Sequence, residues 1–176
     1  SRDTAMKGPM NPVALLVLSS AFVPGPAMSS GGGPAVAEEL PRLVDVVNAR
    51  ADTVTWRGRR AIRLLAPPER ARDDAAVFGF LDTPPFTDGT IDLLVAGQPR
   101  EGAPDDARGF VGVSFRTGPR GEWSEVIYLR PTNGRADDQL RRNRSVQYAS
   151  DPEYPWHRLR AEHPGAYESW VDLEPG

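Results

Sequence analysis

The chain has 176 residues, 39% hydrophobic and 26% charged, a balance that fits one globular domain with extensions and excludes a fully disordered chain. It contains no cysteine, which excludes disulfides and thiolate metal sites. A formal net charge of -3 carries no global field to attract nucleic acid or an anionic membrane, although arginines crowd around residue 140 and suit a local anion.

Arg2 and Lys7 precede an apolar run at residues 12–23 (P-V-A-L-L-V-L-S-S-A-F-V), followed by Pro, Gly and small residues. Charged, apolar and small-residue parts in that order read as a secretory signal. Residues 1–37 are therefore expected to be a signal peptide and a flexible Ser-Gly-Pro linker (29–34), cleaved after Ala27 or before Glu38. The run is shorter than the about 20 residues that span a bilayer as a helix. The protein is thus expected to be secreted or periplasmic, with no transmembrane domain once the signal is removed and one domain over residues 38–176.

Within that domain, residues 44–48 read as a first strand. Residues 53–56 and 61–65 form two more across the tight polar turn Arg57-Gly58-Arg59. A charged, proline-interrupted loop over 67–74 leads into the apolar stretch 75–81. Residues 86–95 place a turn before a strand in which Ile91, Leu93 and Val95 share one face. After a polar loop at 97–108, strands at 110–116 and 125–130 are joined by the hairpin Pro119-Arg120-Gly121. One short helix is expected at about 155–162, started by Pro155 and stopped by His163-Pro164-Gly165. A last strand is expected over 167–173. Many short strands with eighteen prolines and seventeen glycines predict an all-β protein, an antiparallel sandwich of the jelly-roll type.

The segments F-T-D-G-T-I-D-L (86–93) and G-F-V-G-V-S-F-R (109–116) resemble the concanavalin A-like, laminin G-like sandwiches of secreted bacterial proteins. Among these, the domains described as family-16-glycosidase-like or 3-keto-disaccharide-hydrolase-like are the nearest in pattern. The resemblance spans residues 43–176 and implies carbohydrate binding or glycan processing. Its strand pattern ordinarily continues further, so the sandwich is expected to be incomplete, as in a shortened or fragmentary member.

The polar loop between Tyr128 and Tyr148 (Y-L-R-P-T-N-G-R-A-D-D-Q-L-R-R-N-R-S-V-Q-Y) carries Arg130, Arg135, Arg141, Arg142 and Arg144 against only Asp137 and Asp138. Polar groups on a loop held by a rigid scaffold commonly bind ligands. Sugar recognition takes flat apolar faces, here Tyr148, Trp156, Tyr154 and Trp123, and forked donors and acceptors, here Arg130, Asn133, Asp137, Asp138, Gln139 and Arg141. Arg116 and Tyr128, on the small-residue face of their strands, complete the expected ligand site. The expected partner is a glycan or small saccharide. The competing structural reading pairs Arg130 with Asp137 or Asp138 to pin the loop, with Trp156 sealing the core.

No catalytic residues can be assigned. A glycoside hydrolase needs two carboxylates about 5–5.5 Å or 6.5–9.5 Å apart, and the E-x-D-x-x-E strand of true family-16 enzymes is missing. Asp138 or Glu125 would serve such an enzyme, with a second carboxylate unassigned. A structural or adhesion module that binds protein is the third reading. His157 and His163 lie six apart and do not share a helix face, so zinc is not expected. No cofactor is expected; calcium is the one ion whose hard oxygen ligands are at hand, in Asp137, Asp138 and Asn133.

Overall fold

In the computed structural model, which describes residues 14–18, 40–67, 76–83 and 89–176, the backbone is mostly antiparallel β-sheet with few helices. The described strands are β1 (Ala14–Leu18), β2 (Leu43–Val47), β3 (Arg50–Trp56), β4 (Arg59–Leu65), β5 (Phe78–Leu81), β6 (Leu94–Gln98), β7 (Val111–Phe115), β8 (Ser124–Leu129), β9 (Val146–Asp151) and β10 (Glu168–Ser169). Helix α1 spans Gln139–Arg142 and α2 Trp156–Glu162. The strands form one sheet of order β3-β4-β1-β6, a second of order β10-β9-β8-β7, and a two-stranded ribbon of β2 and β5. Among the described residues no helix is long and apolar enough to cross a membrane.

Local chemistry sets several of these elements. Arg57 and Gly58 both have positive φ (47° and 79°), the backbone of a tight hairpin turn whose twist matches the strands it joins. β3 and β4 pair without a break from Arg50↔Leu65 to Trp56↔Arg59. Pro155 precedes the first turn of α2, where a missing N–H costs nothing, and the helix ends at His163 before Pro164 and Gly165. Leu159 is the buried residue of that helix, which lies against β9.

Three expectations change. The single helix expected at about 155–162 is joined by α1, which Asp138 caps. The strand expected over 91–95 starts only at Leu94, because its ladder partner β1 ends at Leu18, opposite Leu94; Ile91 is exposed. The strand expected over 167–173 shortens to Glu168–Ser169, and the chain beyond it runs as a strap across the 130–145 loop. Trp170 Nε1 donates to Gly134 O (3.1 Å), and Arg135 pairs with Asp172 (2.6 Å) and Glu174 (2.7 Å).

Ala14–Leu18, inside the run read as a targeting sequence, pairs antiparallel with both β4 and β6. The linker 29–34, both cleavage positions, most of the 67–74 loop and the start of the 86–93 motif lie outside the described residues. The first sheet buries Ala61, Ile62 and Leu64 of β4, with Val54, Trp56 and Ala96 packed around Ala61. Gly97 of β6 lets this sheet approach the second: a Cβ there would stand 2.8 Å from Val111 Cβ, closer than two carbons pack.

Candidate functional site: an arginine-lined cavity

The inner face of the second sheet is polar. Tyr128 of β8 and Gln147 of β9 lie opposite each other in register, and both are buried. Gly112 of β7 completes the row beside Tyr128; a Cβ at 112 would come 2.7 Å from Tyr128 Cβ. Arg130, just past the end of β8, is 6% exposed. Its guanidinium donates to Tyr128 Oη (3.1 Å), Gln147 Oε1 (3.2 Å) and Arg144 O (3.0 Å). A cation so deeply buried needs such partners, because charge taken out of water is costly unless paired. Burial nevertheless holds Arg130 below the usual arginine value, as do the like charges of Arg160 and Arg144. Burial also pushes the Tyr128 phenol up to about 12, so it stays neutral while it accepts from Arg130.

Behind Arg130 stands Glu168 of β10, whose side chain is 5% exposed. It accepts from Arg160 Nε and Nη2 and lies 3.8 Å from Arg130 and 3.6 Å from Arg144. One buried carboxylate thus faces three guanidiniums.

The 130–145 loop closes over this cluster by its own bonds. Asp138 caps α1, accepting from Arg141 N at 2.6 Å, as short polar side chains do at helix starts. That turn sends the Arg141 guanidinium inward to Asn133 Oδ1 (3.0 Å) and Thr132 Oγ1 (3.1 Å). Asn133, itself buried, donates to Arg144 O (3.2 Å).

The result is a cavity of about 440 Å³, within the roughly 300–1,000 Å³ range of small-molecule sites. Five arginines line it: Arg108 before β7, Arg130, Arg141 and Arg144 in the 130–145 loop, and Arg160 in α2. Burial first, and then the charge of Arg141, hold Arg108 below the usual arginine value. Among the described residues its guanidinium makes no hydrogen bond or ion pair within the side-chain network of the cavity. The lining carboxylates are Asp106 and Asp138. The aromatic lining is already in use: Arg160 lies 4.5 Å over the Trp156 ring, and Arg130 stands 5.0 Å from Tyr128 and 5.8 Å from Phe110. These rings steady cations, which leaves less open face for stacking on a neutral sugar.

The residues expected from sequence divide between this cavity and other places. Tyr128, Arg130, Asn133, Asp138, Arg141 and Trp156 line it together. Arg116 does not: its φ of 46° breaks the strand alternation and turns it to Glu125 (2.8 Å). Tyr148 lies on the opposite face of the sheet, because β9 is in register with Gln147 inward; its hydroxyl donates to Glu125 Oε2 (2.9 Å). Gln139 stays exposed on α1, bonded to Asn143 (2.8 Å). Asp137 lines a neighbouring cavity under the strap, beside Arg135 and Leu173. Arg130 pairs with Glu168, not with Asp137 or Asp138.

Arg108, Phe110 and Arg160 of the cavity, and Gln147 and Glu168 behind it, escaped the sequence reading, while Arg144 was noted among the loop's arginines but not as a ligand contact. Arg160 had a usable signal: it is four residues after Trp156 on a helix, the spacing that stacks two side chains on one face. Glu125 has its pKa lowered by Arg116 and Tyr148, opposite to the raised value a glycosidase general acid needs. Among the described residues no group of three or more His, Asp or Glu side chains could hold a metal ion; Asn133 Oδ1 and Asp138 Oδ1, expected as calcium ligands, both accept from Arg141.

No protein-family model matches the chain, and no curated protein or solved structure matches it.

Proposed function

We propose that this protein is a binding module for a small anionic ligand, taken up in the arginine-lined cavity between β8, α1 and α2. Within the carbohydrate reading, that ligand is an acidic saccharide. The observation that carries this reading is the convergence of five guanidiniums on one cavity of ligand size, with Arg130 and Arg108 both held below their usual value by burial and by their neighbours. Arranging like charges this way costs stability, and a bound anion relieves the cost. The polar network of Tyr128, Asn133, Gln147 and Glu168 fixes the guanidiniums before the ligand arrives, which spares affinity that ordering would consume.

The finer fold assignment, a concanavalin A-like jelly roll, and export from the cell belong to the same proposal. The first is supported by antiparallel pairing throughout and by a polar loop at one end of the second sheet. The second is supported by the charged, apolar and small-residue order of the first 37 residues, while the pairing of Ala14–Leu18 with β4 and β6 speaks against removal of that run. An array of neutral and acidic saccharides tests the functional reading. Acidic members should bind without turnover and wash off with salt, whereas retention of neutral members alone, or of none, would overturn it. Release of reducing sugar would point instead to a hydrolase.

A further inference from the structure

The charges around the cavity do not balance. Five guanidiniums (Arg108, Arg130, Arg141, Arg144 and Arg160) face three carboxylates among the described residues: Asp106 and Asp138 in the lining and Glu168 behind it. Two positive charges remain. Asp138 is further committed to the start of α1, and Glu168 is shared among three arginines.

The directions of approach matter as much as the sum. A ligand carboxylate offers two coplanar oxygens, which match the fork of an arginine, whereas a phosphomonoester offers three. Here five guanidiniums from three parts of the chain, Arg108, the 130–145 loop and Arg160 of α2, line one cavity, more donors than the two oxygens of a carboxylate take up and a number suited to an anion with three equivalent oxygens. We infer that the ligand carries a phosphomonoester group, a tetrahedral dianion matching the two unbalanced charges, on a small polar body that fills the remaining volume. This rests on the reading of the cavity as an anion site and names the anion.

Calorimetric titration of the full chain at pH 7.5 with glucose 6-phosphate, glucose 6-sulfate, glucuronate and glucose separates the ideas. The phosphate has two charges and tetrahedral shape, the sulfate the same shape with one charge, and glucuronate one charge with planar shape. Glucose 6-phosphate should bind at least tenfold more tightly than the sulfate or glucuronate. Its affinity should fall as pH drops below about 6, where phosphomonoesters take up their second proton, while that of the sulfate holds. Arg108→Gln should weaken phosphate binding about tenfold, and Asp106→Asn, which removes an exposed carboxylate, should strengthen it. Equal affinity for glucuronate or the sulfate would overturn the dianion inference and leave the anion site standing. Equal affinity for glucose, or binding indifferent to both substitutions, would overturn the anion site itself.

Discussion

Glu168 is the residue on which the cluster turns, since among the described residues it is the buried carboxylate that three arginines share. Removing one partner of a buried ion pair costs about 3–5 kcal/mol. Glu168→Gln keeps an acceptor for Arg160 and should cost about 3 kcal/mol, at the low end of that range, while freeing positive charge and tightening phosphate binding several-fold. Chemical denaturation and calorimetry on the same protein check both signs; a variant as stable as the parent with unchanged phosphate affinity would contradict the account. Glu125, on the opposite face, behaves as an ordinary paired surface carboxylate. Its folded pKa is lowered from 4.5, first by the hydrogen bond from Arg116 and then by that from Tyr148. The stability it contributes is therefore present above the unfolded value and lost as pH falls through the lower folded value. Glu125→Gln should be less stable than the parent at pH 7, and the two should converge on acidification below 4.5. A gap that persists undiminished at low pH would assign the loss to packing.

At the scale of elements, what was legible in the sequence was what local chemistry decides. The Arg57-Gly58 turn shows because two consecutive positive φ angles call for a glycine, and α2 shows because proline and glycine bracket it. Phase and register were not legible. Whether Gln147 or Tyr148 faces inward depends on which residue of β8 sits opposite, and a one-residue slip exchanges the faces. Arg116 leaves its expected face through a single left-handed residue. The cavity was half visible: the 130–145 loop announced its arginines, but Arg108, Arg160 and Glu168 reach it from separate segments outside that loop. β1 gives an element-scale test, because it supplies the ladder between β4 and β6. A chain beginning at residue 38 should unfold at a lower temperature than the full chain and bind a hydrophobic dye, since two strand edges lose their partner. Equal midpoints and no dye binding would show that the sheet closes without β1.

For the whole molecule, the contrast lies between a net charge of -3 and a cavity with an excess of positive charge. Such a site draws small anions locally while the overall charge discourages polyanions such as nucleic acid, and its attraction weakens as salt shortens the screening length. The central claim is that the five cavity arginines act together on one anion. The most direct measurement is a titration of isotope-labelled full chain with inorganic phosphate, following the Nε–Hε resonances of the arginines. Arg108, Arg130, Arg141, Arg144 and Arg160 should shift together and saturate at one ligand per chain, while Arg63, Arg135 and Arg158, held in exposed ion pairs, should stay in place. Shifts spread evenly over all arginines, or none among the cavity five, would contradict the account.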